Sequence, residues 1–342
     1  MAYLNAENEY LDSKMNHTRT AGRTLQRDAG RIRQDDATVP SLENGYFYYT
    51  KYLEGKEYPL YYRKKNLPDA QEELLLDVNI LAEGKSYCGV TSPMVSHDNR
   101  LMAYGTDYVS RRRYDIHFVN LETGEQLEDL LVNTTGRVVW AADNSTLFYT
   151  GKDEETLRAD RIVRHSLGTG QESDKVVFFE EDEEFSTGIY LTTSKKYLVI
   201  RSNQTLTTES RILKADNPMG EFRVFEPREV NHEYSIDHIG NSFFIQTNKD
   251  GAENFKLMKA PENATGTDNW TEYVSHRNDV LLEGFNLFDD YIVLNERLNG
   301  LTAIRVMKNM MARDDHYIDF PGEGIFLPVP EIIPNPEQSA EV

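Results

Sequence analysis

A single cysteine, Cys88, stands in a chain of 342 residues. No disulfide can form within the chain, so nothing in the sequence signals an oxidising compartment. A lone cysteine in an apolar run is a core side chain before it is a nucleophile. No stretch approaches the ~18–20 apolar residues of a membrane-spanning helix. Met1 to Tyr10 has neither the basic start nor the apolar centre of a secretory signal, so N-x-[ST] triplets such as Asn133-Thr134-Thr135 and Asn269-Trp270-Thr271 read as chance. A cytoplasmic protein that avoids the membrane is the expectation. Positive charge is scarce too: 37 Lys and Arg face 57 Asp and Glu, for a formal charge of −20. Such a surface repels phosphate backbones and excludes nucleic acid as a natural partner. It suits basic peptides, although solubility alone is the plainer account of the charge.

Chemical motifs are also missing. No G-x-S-x-G turn presents a hydrolase serine. Ser186, in Phe185-Ser186-Thr187-Gly188, lacks the leading glycine and reads as a turn serine. His232-Glu233 opens like H-E-x-x-H, but position 236 is Ile236. A strand over Tyr234–His238 would point His232 and Glu233 to opposite sides. Asp314-Asp315-His316 reads as a solvated turn. Asp289-Asp290 and the run Glu180–Glu184 read as solvated charge, because catalytic carboxylates need a shared cleft. Neither G-x-x-x-x-G-K-[ST] nor G-x-G-x-x-G occurs. We therefore assign no catalytic or metal-binding residue, no cofactor, and leave the substrate-binding residues open.

What is abundant is aromatic: 20 Tyr and 15 Phe, which suit pleated sheets. Residues 1–38 stand apart. Leu4, Tyr10, Leu11 and Met15 are spaced for a helix face, and Gly22 and Gly30 interrupt the helical pattern beyond it. From Val39 the pattern becomes short apolar bursts of period 2 separated by turn residues. The bursts fall into six groups. The first holds Gly45–Thr50, Tyr58–Arg63 and Leu74–Val78. The second holds Gly89–Val95, Leu101–Gly105, Tyr114–Asn120 and Leu127–Val132, and the third begins with Arg137–Ala141 and Thr146–Thr150. Three more begin at Gly188, Tyr234 and Val280. The groups recur at roughly 45–50 residues, the period of propeller blades. Ser96–Arg100, Ala142–Ser145 and Thr193–Lys196 are the predicted tight turns between first and second strands, where Asp and Asn tolerate left-handed backbone angles. A four-stranded sheet cannot bury both faces alone, so radial stacking explains the repeat better than unrelated sandwiches. The expectation is an all-β fold: a β-propeller of about six blades over residues 39–320, after a short helical segment. Residues 321–342, crowded with Pro328, Pro330, Pro334 and Pro336, read as an irregular tail.

Several ordered stretches resemble the oligopeptidase B branch of the prolyl oligopeptidase superfamily. They include Tyr3–Tyr10, Asn44–Tyr49 with Gly55–Pro59, Asp98–Tyr104, Arg164–Thr169, Gly220–Phe225, Asn231–Tyr234 and His276–Phe285. The resemblance implies a seven-bladed propeller and, beyond it, an α/β-hydrolase domain with a Ser, Asp and His triad. This sequence contains about six blades and no hydrolase domain. The whole enzyme implied is a serine endopeptidase that cleaves short peptides after Arg or Lys, with the propeller restricting access. The expected partners are that hydrolase domain and short basic peptides, and the chain alone is expected to be inactive. The alternative is a stand-alone propeller scaffold that binds peptides or proteins.

Overall fold

The computed structural model describes residues 1–15, 27–28, 30–308 and 315–319. Helix α1 (Ala2–Met15) forms where the helix spacing predicts, but none of its residues is buried. Leu4, Leu11 and Met15 are all exposed. Gly22 and the tail 321–342 lie outside the described residues.

The rest is a succession of antiparallel sheets. Blade 1 contains β1 (Asp36–Ala37), β2 (Ser41–Glu43), β3 (Tyr46–Tyr52), β4 (Leu60–Lys65) and β5 (Glu72–Asp77). Here the structure adds to the sequence reading. The inner strand β2 and the short β1 carry too few apolar residues to register as bursts. Val78 belongs not to a strand but to a one-turn helix, α2 (Val78–Leu81), which Asp77 caps by accepting the Asn79 N–H at 2.8 Å.

Blades 2 and 3 form one eight-stranded sheet. Blade 2 has β6 (Gly89–Val90) and β7 (Met94–Val95) as a broken inner strand, then β8 (Leu101–Asp107) and β9 (Tyr114–Asn120). The next strand, β10 (Gln126–Trp140), is the outer strand of blade 2 and, continuing, the inner strand of blade 3. Sequence periodicity breaks it into two bursts. The structure bends it instead, at left-handed Asn133 and Gly136. Blade 3 continues with β11 (Thr146–Lys152), β12 (Ala159–Ser166) and β13 (Lys175–Phe179).

Blade 4 is β14 (Ser186–Leu191), β15 (Tyr197–Asn203), β16 (Thr208–Lys214) and β17 (Arg223–Glu226). Blade 5 is β18 (Tyr234–Ile239), β19 (Ser242–Thr247), β20 (Lys256–Pro261) and β21 (Thr271–Val274). Blade 6 is β22 (Val280–Leu287), β23 (Tyr291–Leu298), β24 (Leu301–Lys308) and β25 (Asp315–Tyr317). Counting the eight-stranded sheet as two, the described residues make six blades.

Period-2 alternation explains how the blades stack. In β15, Tyr197 and Val199 face blade 5 and pack with Phe225, Tyr234 and Phe243. Leu198 and Ile200 face the other way, onto Phe148 and Ile162 of blade 3. In β19, Phe243 and Ile245 join the layer toward blade 4, while Phe244 joins Leu257, Leu282 and Leu294 toward blade 6. Further layers join blades 1 and 2 around Leu76, Cys88 and Met102, and blades 2 and 3 around Ile116, Phe118 and Trp140. Cys88 is thus a core side chain. Each fully buried Leu, Ile or Phe in such a layer contributes about 1.5–3 kcal/mol. Polar pins set the stacking. The Trp140 indole N–H donates to the Met94 carbonyl at 3.1 Å, the Tyr190 hydroxyl to Ile236 O at 2.7 Å, and the Gln246 amide to Leu282 O at 2.6 Å.

The tightest backbone approach lies between blades 2 and 3. A Cβ added to Gly105 would sit 2.6 Å from the Gly136 carbonyl oxygen and 2.7 Å from its Cα. Gly105→Ala is therefore expected to destabilise the fold by about 1–3 kcal/mol. Gly188→Ala, whose Cβ would meet nothing within 4 Å, is expected to be neutral or stabilising by up to about 1 kcal/mol. Urea unfolding midpoints of the two variants check the pair.

Candidate functional site: the central opening and its turns

The inner strands β2, β7, β14, β18, β22 and the second half of β10 border the axis, and each hands over to the next strand of its blade through a tight turn. Five of these turns contain a left-handed residue: Asn44 (φ 48°), Asn99 (φ 63°), Asn144 (φ 57°), Lys195 (φ 58°) and Gly240 (φ 60°). Three of these fall in turns the sequence predicts. Asn is one of the few residues other than Gly that tolerates this backbone readily. The turns also bond to one another. The Asn99 side-chain amide donates to Asn44 O at 3.0 Å, and the Asp98 N–H donates to Asn144 Oδ1 at 3.2 Å. Ala142 N–H reaches Ala215 O at 3.0 Å, and Ser194 N–H reaches His238 O at 3.0 Å. One face of the propeller is thereby laced from blade 1 through blade 5.

Where the blade-4 turn meets blade 5, a serine, a histidine and a carboxylate lie in a row. Ser194 Oγ lies 2.8 Å from His238 Nδ1, and His238 Nε2 lies 3.3 Å from Glu262 Oε2. The order resembles a hydrolytic relay, and sequence reasoning missed it because 44 residues separate Ser194 from His238. Its surroundings argue for structure instead. An acyl-transfer site needs free N–H groups at the nucleophile to hold an oxyanion. Here the Ser194 N–H is engaged by His238 O, and the Lys195 N–H by Thr192 O at 2.8 Å. The His238 ring is fully buried and packs against Tyr197 and Phe243. Its pKa is held down to about 4, first by burial and then by the Lys196 ammonium, with Glu262 opposing. Next to it, burial raises the Asp237 carboxyl, although Thr193 donates to it from both N–H and hydroxyl.

Two cavities flank the inner strands of blades 4 and 5. One, of about 330 Å³, lies on the wall shared with blade 6 and is lined by Tyr190, Thr193, Ser235, Asp237, Gln246 and Phe285. The other, of about 640 Å³, lies at the start of the same strands, at the opposite mouth. Glu184, Ser186, Arg201, Asn203, Thr208 and Glu233 line it. Both are open, and the second is the more polar, which suits a passing peptide chain better than a tightly enclosed small molecule.

The structure disperses most of the sequence candidates. Ser186 begins β14 at this second mouth, and Glu233 lines the same cavity. His232 is buried and bonds Thr247 Oγ1 at 2.8 Å, away from Glu233. Within Glu180–Glu184, Glu180 is buried rather than solvated. It takes the Arg228 guanidinium at 2.8 Å, which with bonds from Ser202 and Asp182 outweighs the upward push of burial and lowers its pKa. Asp315 belongs to the edge strand β25 rather than to a turn, and its carboxylate pairs with Arg305. Asp314 lies outside the described residues.

The surroundings of buried His165 were also invisible in sequence. His165 Nδ1 lies 2.6 Å from Asp174 Oδ1, and Nε2 lies 3.1 Å from Asp129 Oδ1, with the ring fully covered. Burial alone would lower its pKa, but the two carboxylates outweigh burial and raise it. Bridged from both nitrogens, it acts as a cationic pin between the outer strand of blade 2 and blade 3.

Six radially stacked antiparallel sheets around an axis define a β-propeller. The family model described as "Prolyl oligopeptidase, N-terminal beta-propeller domain" matches residues 1–324, and the chain belongs to that family. Among curated relatives, dipeptidyl aminopeptidase BI of Pseudoxanthomonas mexicana is 43% identical over 324 residues, covering 90% of this chain and 45% of the relative. Protease 2 of Moraxella lacunata is 32% identical over 313 residues, covering 89% and 45%. Among solved structures, oligopeptidase B from Leishmania major superposes with a TM-score of 0.82 at 30% identity, covering 90% of this chain and 44% of that one. Oligopeptidase B from Trypanosoma brucei, in a closed form with covalently bound antipain, gives 0.84 at 27% identity, covering 94% and 46%. The chain spans about half the length of the relatives it matches.

His165 and His238 give opposite pH dependences. An unfolded histidine titrates near 6.5. The neutral His238 loses its contribution as pH falls from there toward about 4, because the unfolded chain then binds more protons. The His165 contribution is complete below about 6.5 and is lost as pH rises through its raised folded value. Stability from this pair should therefore peak near pH 6.5. In urea unfolding across pH, His165→Gln should flatten the alkaline limb and His238→Asn the acid limb. Unchanged limbs would refute the two assignments.

Proposed function

We propose that this chain is the substrate-gating propeller portion of an oligopeptidase B-like serine endopeptidase that cleaves short peptides after Arg or Lys. Family membership supports the peptidase class. The observation that carries the preference for basic peptides is electrostatic. A chain of net charge −20 places Glu184 and Glu233 at one mouth of its central opening, where with Arg201 and neutral hydrogen-bonding side chains they leave the lining with one net negative charge. Carboxylates around a narrow opening concentrate cationic peptides and speed their arrival.

On this reading the reacting groups belong to an α/β-hydrolase domain, with a Ser attacking the scissile carbonyl, a His moving the proton and an Asp orienting the His. The propeller residues touch none of the reacting atoms. They select and orient what reaches them, and the site of action is cytoplasmic. The relative named as a dipeptidyl aminopeptidase gives a second reading, removal of dipeptides from a free N-terminus. Substrates with free and with blocked N-termini separate the two when propeller and hydrolase domain are assayed together. Only the first reading allows blocked substrates to be cleaved.

The chain by itself is expected to release no fluorophore from a fluorogenic Arg substrate and to take up no active-site serine reagent. Turnover that titrates with labelled serine would overturn this assignment. Binding of a short Arg-rich peptide to the chain should weaken steeply with salt, as screening predicts. Glu184→Gln with Glu233→Gln should weaken it further at low salt, by roughly 5–30-fold if each carboxylate contributes about 0.5–1 kcal/mol. Fluorescence anisotropy measures both.

A further inference from the structure

Among the described residues, one hydrogen bond joins blades that are not neighbours. Lys195, in the turn of blade 4, places Nζ 2.5 Å from Asn44 Oδ1 in the turn of blade 1, and 4.0 Å from Glu43 Oε1. Blades pack in chain order, through layers that join blade 1 to 2, 2 to 3, 3 to 4, 4 to 5 and 5 to 6. Blades 1 and 4 are thus separated by two others, and both turns sit at the ends of inner strands. A bond between them is a chord across the central opening. We propose that Lys195 is a bolt that ties blade 4 to blade 1 across this mouth and sets how wide it opens.

Both ends of the chord are braced. Lys195 takes a left-handed backbone, uncommon for a long side chain, and every neighbour in its turn is fastened. Thr193 is held twice by Asp237, Ser194 by His238 through N–H and hydroxyl, and Lys196 Nζ by Glu262 at 2.7 Å. At the far end, Asn44 is left-handed as well, and its carbonyl accepts the Asn99 amide. The turn that carries Lys195 is therefore rigid, and the strain is concentrated where the side chain is launched across the axis. The relay-like Ser194–His238–Glu262 row acquires a role here: it anchors the turn behind the bolt. The opposite ends of the inner strands of blades 4 and 5 border the cavity of about 640 Å³ that Glu184 and Glu233 line, and the bolt does not cross it.

Two measurements test the bolt. The first uses the unsubstituted chain and a zero-length carbodiimide, which joins a carboxylate only to an amine in contact with it. A Glu43–Lys195 peptide should appear after tryptic digestion, and Asn44→Asp should add a 44–195 crosslink. Absence of both from the folded chain overturns the proposal. The second places nitroxides on the exposed positions Leu67 and Met219, in the outer turns of blades 1 and 4, in a Cys88→Ala background. Pulsed electron spin resonance should give a narrow distance distribution with Lys195 and with Lys195→Arg, which can still donate to Asn44. Lys195→Met keeps the length of the chain but removes the donor, and should give a longer and broader distribution. An identical distribution in Lys195→Met would show that the turns are held apart or together by something else.

Discussion

A four-stranded antiparallel sheet with apolar side chains on both faces cannot exist alone in water, and this constraint shapes the whole molecule. Each blade here presents large side chains alternately to the blade before and the blade after. Leu198 and Ile200 lean on blade 3, while Tyr197 and Val199 lean on blade 5. Burial is therefore shared between neighbours, and no blade has a core of its own. Stability in such arrays is a sum of nearest-neighbour terms, so the loss of one interface is felt locally first. The twist of each sheet turns face-to-face stacking into a radial arrangement around an axis.

Apolar layers alone would let blades slide over one another, because the hydrophobic effect has no direction. The polar pins supply direction. Trp140, Tyr190 and Gln246 each send one donor to a carbonyl of the neighbouring blade. His165 between two aspartates and Arg228 between Glu180 and Glu209 do the same with charge. These groups are buried or half-buried, where an unpaired polar group is costly. The two histidines serve the same end in opposite protonation states. Two close carboxylates keep one charged. For the other, burial and a lysine outweigh a single, more distant carboxylate.

Much of the fold was legible in advance because period-2 alternation and turn chemistry are local. Asn99 and Asn144 take the left-handed angles that their turns demand, and the strand groups of blades 2 to 6 fall where the apolar bursts lie. The failures have local causes too. Strand β2 is three residues long, and its pairing with β3 is fixed by partners rather than by its own pattern. The long β10 looked like two strands because a bend with left-handed Asn133 and Gly136 interrupts its periodicity without ending the chain's path.

The sequence by itself determined that the chain would be built of short strands in six repeating groups, that it would be acidic, and that it would resemble a known peptidase propeller. Each of these comes from composition, period or ordered stretches of residues along the chain. Only the tertiary structure decided which side chains meet. Ser194, His238 and Glu262, the trio of Asp129, His165 and Asp174, and the pair of Asn44 and Lys195 are all assembled from distant positions. Stacking the blades around an axis brings together residues whose separation in sequence carries no signal. Their chemistry, including which histidine holds a proton, comes from burial and neighbours that exist only once the blades have stacked.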